Sequence, residues 1–125
     1  MPVAVIDGQP LHYVDQGCGP VVLLGSSYLW DRDMWAPQIE ALSHQYRVIV
    51  PELWGHGESG PLPTHTRSLD DLARQALALL DQLHITRVNL VGLSVGGMWG
   101  ARLALRAPER VNSLVLMDKI GRAHV

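Results

Sequence analysis

Short apolar runs alternate along the chain with segments whose apolar positions recur every three or four residues. Val3 to Ile6 and Leu11 to Val14 are β-prone and flank Asp7-Gly8-Gln9-Pro10, where Asp-Gly supplies turn chemistry, so an antiparallel hairpin is expected. Gln16-Gly17-Cys18-Gly19-Pro20 then breaks the chain. Val21-Val22-Leu23-Leu24, closed by Gly25, is a continuous apolar run that suits a strand covered on both faces in the middle of a parallel sheet.

Between Asp33 and His44, Trp35, Ile39 and Leu42 fall at helical spacing, with Pro37 tolerable in or near the first turn. Tyr46 to Val50 reads as the next strand, and Pro51 to Pro63 as a loop rich in Gly and Pro. A long amphipathic helix begins at Ser68, which forms a capping-box-like pair with Asp71. Its residues Leu69, Leu72, Ala76, Leu79, Leu80 and Leu83 share one face. A third unit comes next: a strand over Val88 to Leu93, a tight turn at Ser94, and a helix from about Val95 to Arg106 that stops before Pro108. A last strand, Val111 to Met117, ends at Asp118. Strands alternating with helices through short connections predict an α/β fold with a mostly parallel, doubly wound sheet and functional residues at the C-terminal ends of the strands.

Composition narrows the class. The 125 residues are 47% hydrophobic and 18% charged, as in a globular protein, and no repeat or low-complexity tract divides them. With 10 basic and 12 acidic residues, the net charge of -2 leaves no surplus to neutralise nucleic acid or hold an anionic membrane, so neither is an expected partner. Cys18 is the only cysteine and cannot form an internal disulfide. The first residues lack the basic region and apolar run of a signal peptide, and no stretch approaches the roughly 20 apolar residues of a membrane span. A cytoplasmic protein is expected.

The strongest chemical signal is Gly92-Leu93-Ser94-Val95-Gly96, a G-x-S-x-G pentapeptide placed where a strand must turn into a helix. A sharp turn there leaves no space for side chains two residues before or after the serine, and it lifts the hydroxyl clear of the sheet. The helix behind Ser94 aims backbone N–H groups at any oxyanion forming beside it.

With this context the chain resembles the α/β-hydrolase superfamily from the first hairpin to Asp118. Val21 to Trp35 resembles the third strand and its oxyanion loop, Pro51-Glu52-Leu53-Trp54-Gly55-His56-Gly57-Glu58-Ser59 the segment after the fourth strand, and Gly92 to Gly97 the nucleophile elbow. The elbow is most similar to those of small esterases and enol-lactonases. The resemblance implies Ser94 as nucleophile and an oxyanion hole made by the backbone N–H of Val95 and one from the loop after the third strand, assigned to Ser27. Many relatives carry His-Gly where this chain has Gly25-Ser26, and Ser26 and Ser27 could instead be ordinary turn residues. Glu52 stands where relatives often have aspartate.

The remaining candidates divide between site and scaffold. Trp30 and Trp54 lie in loops near the expected site and could line an acyl pocket, whereas Trp35 and Trp99 are read as core. His56 is read as a loop-holding residue, and His12, His44, His65 and His84 as surface or cap residues, because the chain order of this fold is serine, acid, histidine. Asp118 is either the acid that orients a histidine or the cap of a turn. No metal-ligand spacing and no phosphate loop is present, and no cofactor is expected.

Residues 1–118 therefore read as the N-terminal part of an α/β-hydrolase domain, truncated after about the sixth strand. Residues 119–125 read as a non-native tail, because Ile120-Gly121-Arg122-Ala123-His124-Val125 resembles a translated sequencing adapter. On that reading His124 is not a catalytic base. The expected function is that of a serine hydrolase whose complete form cleaves a small carboxylic ester or lactone through a Ser-His-Asp/Glu triad, the segment alone being inactive. The alternatives are an acyltransferase, C–C hydrolase or peptidase of the same fold, or a non-catalytic α/β binding domain.

Overall fold

The computed structural model describes residues 2–26, 35–53 and 69–117. Six strands form one sheet: β1 (Val3–Ile6), β2 (Gln9–Gln16), β3 (Val21–Gly25), β4 (Arg47–Glu52), β5 (Val88–Leu93) and β6 (Val111–Met117). Three helices connect them: α1 (Ala36–Leu42), α2 (Leu69–Gln82) and α3 (Val95–Arg106), with a 3-10 turn over Pro108–Arg110 before β6.

The hairpin forms as the Asp-Gly pair predicts. Asp7 and Gly8 both have positive φ, 51° and 78°, and Ile6 pairs with Gln9 across them, the geometry of a two-residue primed turn. β2 then runs antiparallel to β4, and β4, β3, β5 and β6 are mutually parallel, in the order β1-β2-β4-β3-β5-β6. The sheet is mixed but mostly parallel, and β3 lies inside it as its unbroken apolar run requires.

Several boundaries differ from the expected ones: β2 runs two residues further at each end, over Gln9–Gln16, and β4 begins at Arg47. β4 extends through Pro51 to Glu52 because β2 continues alongside it, with Tyr13 opposite Pro51 and His12 opposite Glu52. A proline near the end of a strand costs the ladder little. α1 ends at Leu42, two residues short of His44, where residues 43–45 form a turn closed by Tyr46 N–H donating to the Leu42 carbonyl. Ser68 lies outside the described residues, so only Asp71 of the capping pair is placed, and it forms an ion pair with Arg74.

The sheet separates two cores, and strand alternation decides which residue enters each. On one face Leu11, Leu23, Ile49 and Leu90 pack against Leu72, Ala76, Leu79 and Leu80 of α2 and Trp99 and Leu103 of α3. On the other, Val22, Leu24, Val48 and Val50 pack against Trp35 and Ile39 at α1. Helices on both faces make the sheet doubly wound, and truncating any fully buried leucine would cost about 2–5 kcal/mol. Arg47 on β4 ties the antiparallel part to the parallel part, its guanidinium donating to both Asp15 carboxylate oxygens at 2.9 and 2.7 Å. Hydrogen bonding to Asp15 holds the Arg47 proton more tightly than usual, against the opposing effect of burial.

From β3 the chain crosses to β4 on one side and later to β5 on the other, so the winding reverses at β3. Such a reversal opens a crevice at the carboxyl ends of the strands. Gly25 of β3 and Gly92 of β5 pair there, side by side.

Candidate active site

β5 delivers the chain to Ser94, and α3 departs from it at Val95. Between them Ser94 adopts φ 55° and ψ -118°, a conformation that side-chain-bearing residues rarely take and that costs on the order of 1–3 kcal/mol. The surroundings hold it. The Ser94 N–H donates to the Met117 carbonyl at the end of β6, and the Ser94 carbonyl accepts from Met98 N–H in the first turn of α3, each at 3.1 Å. Val95 is the first residue of the helix, a position whose N–H has no intrahelical acceptor.

The glycines of the pentapeptide are required by contact. A Cβ on Gly96 would lie 2.2 Å from the Gly25 carbonyl carbon and oxygen and 2.7 Å from Ser26 N, and one on Gly92 would lie 2.6 Å from Gly97 Cα. Gly25 answers in kind: a Cβ there would approach Gly96 O to 2.9 Å and the Trp99 ring to 3.0 Å. Bare backbone on both sides lets the exit of β3 sit against the first turn of α3, bringing the start of the predicted oxyanion loop to the elbow.

Trp35 and Trp99 are both buried, as expected of core residues; they lie in opposite cores, and both also touch the β3 exit. Trp99 lies beneath Gly25. The Trp35 indole N–H donates to Ser26 Oγ at 2.9 Å, a contact that sequence reasoning missed. The available signal was chemical: a buried indole N–H must find an acceptor.

Glu52 is buried at the end of β4, and His44 and His84 are exposed at helix ends, in keeping with the cap or surface roles expected of them, whereas His12, also expected at the surface, is half-buried within β2. His84 takes φ 59° just after α2, the left-handed geometry of a helix C-terminus. Ser27, Trp30, Trp54, His56, His65, Asp118 and His124 lie outside the described residues. Among the described residues no cluster of His, Cys, Asp and Glu could hold a metal, and no helix is long and apolar enough to cross a membrane.

A strained serine between a parallel strand and a helix, at the point where the sheet reverses its winding, defines a class, and comparison with known proteins agrees. The family described as alpha/beta hydrolase fold matches residues 19–125, and the chain belongs to it. A proposed carbamate hydrolase, RutD, of Azorhizobium caulinodans is 36% identical over 123 residues, 98% of this chain and 46% of that protein. 3-Oxoadipate enol-lactonase 2 of Acinetobacter baylyi is 35% identical over 107 residues, 83% of this chain and 40% of that protein. Among solved structures, the enol-lactonase from Burkholderia xenovorans superposes with a TM-score of 0.83 at 38% identity, over 90% of this chain and 45% of its own. The chain thus spans under half the length of these relatives, which are hydrolases.

Proposed function

We propose that the complete protein containing this segment is a serine hydrolase acting on a small carboxylic ester, lactone or similar carbonyl compound. One observation carries the proposal: Ser94 is held in a strained turn, with the β3 exit locked against the helix that begins beside it. A fold does not keep a side-chain-bearing residue in such a conformation without compensation elsewhere. Similarity to an enol-lactonase and a proposed carbamate hydrolase supports a substrate whose carbonyl carries an oxygen or nitrogen leaving group.

In this reading Ser94 Oγ attacks the carbonyl carbon while a histidine takes its proton, and the backbone N–H groups of Val95 and Ser27 receive the oxyanion. The tetrahedral intermediate collapses to an acyl-enzyme as the histidine returns the proton to the leaving group. Water then attacks the acyl carbon, giving its proton through the same histidine to Ser94 Oγ. Trp30 and Trp54 would line the acyl pocket. The histidine and an acid would come from the part of the relatives' length that has no counterpart here, with Asp118 the acid candidate within this segment. No cofactor is required.

The test is labelling of the complete protein with a fluorophosphonate, combined with peptide mapping and p-nitrophenyl acetate turnover. The expected result is a single adduct on Ser94 and loss of both adduct and turnover in Ser94→Ala. Undiminished turnover in that variant would overturn the reading.

A further inference from the structure

Beyond the nucleophile and the oxyanion donors, we propose that Trp35 is a positioning residue for the reaction, acting through its hydrogen bond to Ser26. The inference rests on the serine-hydrolase reading and deepens it.

Three observations meet at Ser26. Its backbone is pressed against α3, since a Cβ on Gly96 would come within 2.7 Å of Ser26 N. Its hydroxyl oxygen accepts the Trp35 indole N–H at 2.9 Å. The donor is itself fixed, because Trp35 is 4% exposed and packs with Val22, Leu24, Ile39, Val48 and Val50. A wide, buried ring has little freedom, so its N–H is a stationary anchor.

The anchor matters because Ser26 is joined directly to Ser27, the assigned second oxyanion donor. The Ser27 N–H belongs to the peptide unit that begins at the Ser26 carbonyl, and a peptide unit is planar. Ser26 is held by its backbone on the elbow side and by its side chain on the α1 side, so the residue from which that unit starts is fixed at two points. A satisfied core tryptophan would need only some acceptor. Here the acceptor is the neighbour of an oxyanion donor, and the bond contributes to the rate only if that donor must stay in place as charge develops.

The test uses the complete protein, with Trp35→Phe, Ser26→Ala, the double variant and Ser26→Thr. Trp35→Phe keeps an aromatic ring and removes the N–H. The readouts are kcat and KM for p-nitrophenyl acetate, the inhibition constant of a phenylboronate that mimics the tetrahedral intermediate, and the melting temperature. Losing an oxyanion donor costs about 100- to 1,000-fold and displacing one costs less, so each single variant should lower kcat about 10- to 100-fold with KM unchanged. Boronate binding should weaken in step. The double variant should lose no more than either single one, and Ser26→Thr, which keeps the hydroxyl, should recover most of the rate.

A kcat unchanged in folded Trp35→Phe, or losses that add in the double variant, would overturn the proposal. Should Trp35→Phe fail to fold, the contrast between Ser26→Ala and Ser26→Thr decides: equal rates in those two overturn it. Fluorophosphonate labelling separates this failure from that of the underlying function. A labelled Ser94 with unaffected variants sinks the role of Trp35 alone, and an unlabelled Ser94 sinks both.

Discussion

Replacing Gly96 by alanine isolates the contact on which the site depends. The added Cβ would meet the Gly25 carbonyl carbon and oxygen at 2.2 Å, where ordinary contact begins at 3.4 Å. These are backbone atoms, so no rotamer change relieves the clash, and β3 and α3 must separate by about 1 Å. Overpacking of this kind costs about 1–3 kcal/mol, while alanine gains up to about 1 kcal/mol over glycine in a helix, so a net loss of about 1–2 kcal/mol is expected. The catalytic loss should be larger, since a displacement near 1 Å at a reacting centre costs on the order of 100-fold. Gly97→Ala is the matched control: its Cβ would meet Gly92 O at 3.3 Å and Leu116 Cδ2 at 3.5 Å, needing only slight adjustment, and its stability should stay within about 1 kcal/mol of the parent. Urea unfolding and p-nitrophenyl acetate turnover of both variants in the complete protein provide the assay. A Gly96→Ala protein as stable and as active as Gly97→Ala would refute the reasoning.

Other changes have definite expectations. Ser94→Gly should abolish turnover yet unfold at higher urea than Ser94→Ala, by about 1 kcal/mol, because glycine relieves the positive φ and alanine does not; equal stability would show that Ser94 is unstrained. Asp15→Asn should cost about 1 kcal/mol, less in concentrated salt, because its half-buried pair with Arg47 is partly screened; a salt-independent loss would point to packing instead. The 125-residue chain produced alone should associate, because β6 pairs only with β5 among the described residues and exposes Leu114, Val115, Leu116 and Met117. Light scattering that shows a cooperatively folding monomer would contradict this.

Elements whose identity depends on local pattern were legible in the sequence. β5, the turn at Ser94, α3 and β6 fall where periodicity, glycine and proline put them, and the hairpin turns at Asp7-Gly8. β4 runs past its expected end because Pro51 reads as a break in the sequence, whereas in the fold β2 lies beside it. The site divides in the same way. Ser94 and its flanking glycines form a motif with a mechanical meaning, so they could be read directly. Gly25 reads only as the close of a strand, and Trp35 only as core, because their partners Gly96 and Ser26 become neighbours only after crossovers or a loop bring them together. One-dimensional spacing carries no trace of that second kind of relation.

On the proposed function, the backbone of Ser94 also bears on how the protein would acquire its chemistry during folding. Left to local preference, this residue would abandon φ 55°, and what holds it comes from remote parts of the chain: the Met117 carbonyl on β6 and, through Gly96, the end of β3. Such long-range contacts incur the full entropy of closing large loops and form late. A nascent or partly unfolded chain would therefore not display the serine in reactive form. Labelling of Ser94 should track the cooperative native population, reporting completed folding and sparing half-made chains from premature reaction.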